Sequence, residues 1–303
     1  MKKSISIFAI FLLLFLMLLH PISTVKAAAY GLLLWYEHIL PALLPFAILS
    51  DLLIHSNGCL YLSSFLQPFV KILVKCSRQG AFPLIAGFLF GFPMGSRICS
   101  QMVASGQLSK EEASVLFLVC NNISPIFIIS YIVHDTMGRD TLFLPTLLCL
   151  YLPAVVLGHF IAAKHIFPSH KNTTSGLKIN FSILDVGIMN SFEMMCKLGG
   201  YIILFSILTQ LIELYCPTPF WELILTAPLE ITNGVALLGN SSLPVRVKYA
   251  CILSLTAFGG VCGIAQTYSM VHTAKLPMKQ YVLTHLLLAG ISGLCGYLIY
   301  PFL

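Results

Sequence analysis

Apolar runs near the roughly 20 residues needed to cross a bilayer recur along the whole chain. Their spacing predicts spans over 4–20, 29–54, 113–133, 141–163, 198–215, 249–271 and 281–302. Two more apolar segments, 83–105 and 221–240, are interrupted by helix breakers and read as re-entrant rather than crossing. The stretch 58–78 holds Pro68 with Lys71, Lys75 and Arg78, and reads as an amphipathic segment lying at the interface. The pattern predicts an all-α polytopic membrane protein of about 7–9 membrane segments, arranged as two pseudo-repeats with interrupted helices. Residues 1–28 form an N-terminal membrane helix, 29–163 a first half, 164–184 a polar connecting loop and 185–303 a second half. The loop carries His165, His170, Lys171 and Lys178.

The interruptions come in matching pairs. In the first half, Gly91-Phe92-Pro93-Met94-Gly95-Ser96-Arg97 is followed by Asn121-Asn122-Ile123-Ser124-Pro125. In the second, Leu229-Glu230-Ile231-Thr232-Asn233-Gly234 is followed at similar spacing by Phe258-Gly259-Gly260-Val261-Cys262-Gly263. Unpaired backbone survives in a bilayer only when buried in protein or beside a water-filled cavity. Paired broken helices in corresponding halves are the best sequence pointer to a transporter's binding site.

Composition supports the membrane reading. Of 303 residues, 58% are hydrophobic and 9% charged, and the mean hydropathy is +0.91, which excludes a water-soluble globular domain. The net charge of +6 reads as topology. The bases sit at segment ends, and no basic face with interleaved aromatics suggests nucleic acid. Lys2 and Lys3 inside, with two crossings, keep Lys71 to Arg78 inside and place His134 to Asp140 outside. Lys164 to Lys178, Lys275 and Lys279 then fall inside, and the two halves are inverted. Arg246 and Lys248 fall outside, against the bias. The basic start and apolar core of Met1 to Leu19 resemble a signal segment, and Val25-Lys26-Ala27-Ala28-Ala29 a cleavage site. Because another membrane segment follows, the first helix is read as retained.

The chain's ten cysteines include no Cys-x-x-Cys pair, and Cys99, Cys120, Cys149, Cys251 and Cys295 lie in apolar segments. They read as small packing residues. The nine histidines are dispersed, so no metal or other cofactor is assigned. No hydrolase, metalloprotease or phosphate-cradling motif is present, and the chain is not read as an enzyme.

The chemistry is sought at the breaks. Pro93 removes a backbone donor, while Gly91 and Gly95 permit close approach. Ser96 is placed to cap the half-helix below, whose positive end with Arg97 beside it reads as an anion site. The structural alternative is a snorkelling Arg97 with glycines that only aid packing. Asn121, Asn122 and Ser124, with Pro125 freeing a carbonyl, suit hydrogen bonding to a solute or coordination of a cation. The bland reading is helix-to-helix glue. Glu230, Thr232, Asn233 and Gly234 are the second-half counterpart, where Glu230 is open to pairing with Arg97, binding a proton or holding a cation. Gly259, Gly260 and Gly263 permit close packing, with Gln266 as a polar liner. Trp35-Tyr36 reads as an interfacial belt that leaves Glu37 and His38 at the water boundary, and Pro41 and Pro45 as kinks.

At these motifs the chain resembles the YlbJ-type sporulation integral membrane proteins of the nucleoside-recognition "Gate" domain superfamily. The resemblance rests on Gly-Phe-Pro-Met-Gly (91–95), Leu-Ser-Lys-Glu-Glu-Ala (108–113), Asn-Asn-Ile-Ser-Pro-Ile-Phe-Ile-Ile (121–129) and Leu-Glu-Ile-Thr-Asn-Gly (229–234). Trp35 to Phe46 fits the same pattern. Two departures are a compact central loop and Arg97 in place of the family's lysine. The resemblance implies Gate-like halves, an endospore-forming bacterium and a multi-pass protein of the bacterial cell membrane, with the forespore outer membrane as the candidate location. It implies movement of a small anionic solute, with dipicolinic acid the leading candidate. The expected partners are membrane lipid, that small-molecule solute, and a coupling ion or partner subunit. The alternatives are a non-transporting protein that supports spore envelope assembly, and a nucleoside or cation carrier.

Overall fold

Glycines, prolines and paired polar residues cut the apolar sequence into helical pieces rather than uniform spans. The computed structural model describes residues 2–56, 58–167 and 180–302, and every regular element among them is helical. His170, Lys171 and Lys178 of the connecting loop lie outside the described residues. Five stretches are long and apolar enough to cross a membrane: Pro21–His55, Asp140–Ala162, Phe181–Glu213, Val245–Val271 and Met278–Phe302. Large apolar side chains such as Leu33, Leu148, Phe160, Leu204 and Leu298 stay exposed along them, far more than a soluble monomer presents. The chain is a multi-pass helical membrane protein.

Several expected boundaries move. Helix α1 (Lys2–Leu19) covers the first expected span. The second expected span starts earlier, at Pro21. There α2 (Pro21–Leu34) and α3 (Leu40–His55) join through a wide π-helical turn at Trp35–Ile39. Pro41 cannot donate to the carbonyl of residue 37, and the widened turn just before it absorbs the defect. Trp35 to His38, expected at the membrane boundary, thus lie midway along the Pro21–His55 helix, with Trp35 against Gly199. Helix α4 (Cys59–Leu73) turns Tyr61, Phe65, Phe69 and Ile72 outward and buries Cys59, Ser63 and Val70.

The interrupted segment near 83–105 is a hairpin of α5 (Ala81–Phe90) and α6 (Met94–Ala104). The segment expected over 113–133 is itself broken, into α7 (Lys110–Phe117) and α8 (Pro125–Phe127), which continues in wide turns over Ile128–Thr136. Helix α9 (Phe143–Ala162) closes this half. Helix α10 (Phe181–Glu213) begins far before the expected residue 198. The Asn180 side chain accepts the Ile183 amide at 2.9 Å and caps it. Asp185, Glu193 and Lys197, which precede the expected span, sit on its exposed flank. There Lys197 Nζ meets Glu193 Oε1 at 2.6 Å, one turn apart. A second hairpin, α11 (Pro219–Thr226) and α12 (Ile231–Asn240), precedes α13 (Val245–Phe258), α14 (Gly260–Val271) and α15 (Met278–Ile299).

Contacts sort the helix ends into two levels. At one, Gln107 Nε2 donates to the Ile54 carbonyl at 2.9 Å, the Ser77 amide to Glu112 Oε1 at 2.6 Å, and His159 Nδ1 to the Leu73 carbonyl at 3.0 Å. Both ends of the α5–α6 hairpin lie here, with Lys71, Lys75, Arg78 and Lys110 nearby in sequence. At the other level, Arg139 Nη1 donates to the Tyr300 hydroxyl at 3.2 Å and Arg246 Nε to the Tyr297 carbonyl at 2.7 Å. Lys248 Nζ donates to the Gly239 carbonyl at 2.6 Å, so the α12 end of the second hairpin lies at this level.

Candidate functional site

Each break frees backbone groups that must find partners, since an unmet buried group costs roughly 1–3 kcal/mol. At the first, Gly91 has φ +85° and ψ 178°, a conformation essentially restricted to glycine. A side chain there would also strike the Ser124 backbone. The Tyr151 hydroxyl shares its one proton between the Phe88 carbonyl at 3.0 Å and the Ile123 carbonyl at 2.7 Å. One phenol thereby serves two breaks. At the second break, Asn122 Nδ2 donates to the Val119 carbonyl at 2.7 Å. The Ser124 hydroxyl accepts from the Phe127 amide and caps α8, with Pro125 as its first residue. The Cys120 carbonyl packs onto Gly87 and Gly95.

In the second half, carbonyls and amides of different helices meet directly. The amides of Val261 and Cys262, opening α14, donate to the carbonyls of Pro228 and Leu229 at 2.8 Å each. The positive end of α14 is therefore met by the carbonyl end of α11. Glu230 is buried, and its Oε2 accepts the Asn233 amide at 2.9 Å, capping α12. Gly259 and Gly260 both have positive φ, +83° and +73°, which lets α14 start immediately after α13 ends. His285 Nδ1 donates to the freed Ala257 carbonyl at 2.9 Å.

The breaks of the two halves also touch. The Phe92 ring lies against Gly259 and Gly263. Asn121 Nδ2 donates to Thr267 Oγ1 at 2.9 Å and to the Tyr281 hydroxyl at 2.8 Å. The Ser96 hydroxyl stands 2.8 Å from the Pro93 carbonyl and 3.1 Å from Asn121 Oδ1. Tyr131 donates its hydroxyl to the Thr232 carbonyl at 2.8 Å. Gly91, Pro93, Gly95, Ser96, Asn121, Ser124, Gly259 and Gly260 thus belong to one polar junction. Gly234 packs on the Ala227 carbonyl beside it.

Other expected residues serve elsewhere. Ser96 does not cap α6, which already begins at Met94; its hydroxyl ties the first break to Asn121. Arg97 does not pair with Glu230. Its Nη2 donates to Asp51 Oδ2 at 2.9 Å, inside the protein. Gln266 is buried and its amide reaches the Cys262 thiol at 3.3 Å, within α14. Asn233 lines a cleft of about 410 Å³ with Lys26, Tyr30, Thr209, Gln210 and Glu213, on the far side of α12 from the junction. Tyr151, Thr267, Tyr281 and His285 were missed, and Asp51, an acid in apolar surroundings, was given no role. All five stand in largely apolar segments, and only Asp51, as a charge in a membrane segment, carried a sequence signal.

No family model matches the chain and no solved structure is similar to it. A curated relative does match: the sporulation integral membrane protein YlbJ of Bacillus subtilis (strain 168), 25% identical over 307 residues. The match takes in 88% of this chain and 75% of the relative. It therefore extends well past the four motifs, and with the helical membrane architecture it supports the resemblance to the YlbJ-type sporulation integral membrane proteins.

Proposed function

We propose that this protein is a carrier acting in sporulation, which moves a small solute across a forespore membrane, with dipicolinic acid the leading candidate. The observation that carries this reading is the meeting of broken helices from both halves at Phe92, Gly259, Asn121 and Thr267. A hairpin followed by a broken span occurs once with its ends at the Lys110 level and once with its α12 end at the Arg246 level. Two such units make inverted repeats, the architecture in which half-helices line a midplane solute site. The richer supply of bases at the Lys110 end assigns that end to the cytoplasm. In this reading the two hairpins and the broken α7–α8 helix enter the membrane besides the five long stretches. The chain carries no ATP-binding motif, so movement is passive or ion-coupled, or a partner subunit drives it.

The test compares dipicolinic acid in mother-cell and spore fractions of a sporulating host. One strain lacks the gene, and another carries Asn121→Ala at normal membrane abundance. The expected result is acid made but retained in the mother cell in both strains. Spores that fill normally without the gene would remove the cargo assignment and favour envelope assembly.

A further inference from the structure

Asp51 has a side chain with no exposure, and the Arg97 side chain is 7% exposed. The two carboxylate oxygens are held from one face of α6. Arg97 Nη2 donates to Oδ2 at 2.9 Å, and Gln101 Nε2, one turn on, donates to Oδ1 at 2.6 Å. Each of these side chains has a polar atom to spare: Arg97 Nη1 and Gln101 Oε1 are buried and without a partner. Because both residues flank one carboxylate, a charged donor and a neutral acceptor stand unused beside it. On α10, Gly187 packs on the Asp51 side chain, and one turn further the Ser191 hydroxyl is also buried and unpartnered. Buried polar groups normally find partners, and an unmet charged donor is the costliest kind.

Charge balance selects what fits. The Asp51–Arg97 pair is neutral, so a carboxylate added alone leaves a net negative charge inside the protein, which the low-polarity interior opposes. One proton entering with it restores neutrality. The proton sits either on the solute, whose carboxyl then accepts from Arg97 Nη1 and donates to Gln101 Oε1, or on Asp51 as the solute takes Arg97. Both give the same proton count. We propose that Asp51, Arg97 and Gln101 form a proton-linked carboxylate site, which admits a solute carboxylate together with one proton. The inference rests on the carrier reading and names its coupling ion. Of the other acidic and basic groups on the packed helices, His55 on α3, Lys110 and Glu111 on α7, Asp185, Glu193 and Lys197 on α10, and His272 on α14 are exposed, and Glu213 stands at the other end of α10. Buried Glu112 on α7 is held by the Ser77 amide.

The test is calorimetric titration of the purified full-length protein with picolinate, which carries a single carboxylate, in buffers of different ionisation enthalpy. The wild type is expected to take up about one proton per picolinate bound. Asp51→Asn keeps the side-chain shape and removes the charge, so it is expected to bind picolinate with no proton uptake. Wild-type binding without proton uptake overturns the inference and leaves the carrier reading intact. Unchanged uptake in Asp51→Asn overturns it too, because the proton then goes elsewhere. Absence of binding to both proteins also overturns it, while the spore-partition experiment decides the carrier reading separately. Should Asp51→Asn fail to fold, the wild-type proton count alone decides.

Discussion

Asp51→Leu alone, or Arg97→Met alone, is expected to destabilise the protein by about 3–5 kcal/mol, whereas the double variant recovers most of that loss. Each single change strands a charge with no route to water, since Asp51 is fully buried and Arg97 nearly so. Gln101 alone offers one neutral hydrogen bond to a stranded Asp51, and a stranded Arg97 keeps only its unpartnered state. Removing both charges leaves an apolar contact of similar volume between α3 and α6. Thermal unfolding in detergent, arranged as a double-mutant cycle, reads the coupling directly. Equal losses that simply add in the double variant would mean that the pair does not couple. The double variant is also expected to be folded yet inactive, which separates the function of the pair from its contribution to the fold.

Gly87→Ala is the second large effect. A Cβ on Gly87 would run into the Cys120 carbonyl, part of the unwound backbone between α7 and α8. A side chain in that place rotates aside, but backbone fixed by its own bonds does not. Extra volume in a well-packed core costs about 1–3 kcal/mol, and this site belongs at or above the upper end. Gly290→Ala on α15 is the control, because its Cβ would meet nothing within 4 Å. There the gain in helix propensity, up to about 1 kcal/mol, favours alanine. Unfolding midpoints for the two variants should therefore move in opposite directions. Equal midpoints would mean that the first hairpin does not lie against the second break.

The sequence marks the breaks well and their partners poorly, for a physical reason. Gly91, Pro93, Pro125, Gly259 and Gly260 break helices by what they are, so local chemistry announces them. Asn121 and Glu230 announce themselves as polar groups in apolar runs. The groups that complete the junction do not. Tyr151, Thr267, Tyr281 and His285 each fit unremarkably in an apolar helix, and their value depends on which carbonyl or amide the fold brings opposite. The same limit explains Arg97, where charge and placement were readable but the choice of Asp51 over Glu230 depends on the packing of α3 on α6. The start of α10 was missed for a different reason. Asp185, Glu193 and Lys197 lower the local hydropathy, yet they occupy only its exposed flank, while Gly187, Ser191, Met194 and Met195 face inward. Averaging around the helix hid its buried side, although Asn180 was a readable cap.

The central claim is that two hairpins enter from opposite faces and meet where the helices break. Ser105, just past the α6 end of the first hairpin, and Ser242, just past the α12 end of the second, are both exposed. The most direct measurement is labelling of Ser105→Cys and Ser242→Cys with a membrane-impermeant maleimide, in intact cells and in inverted vesicles. Cys196, Cys216, Cys251 and Cys295, the cysteines that are not buried, are first replaced by alanine. The account predicts labelling of position 242 only in intact cells and of position 105 only in inverted vesicles. Labelling of both positions from the same side would contradict it.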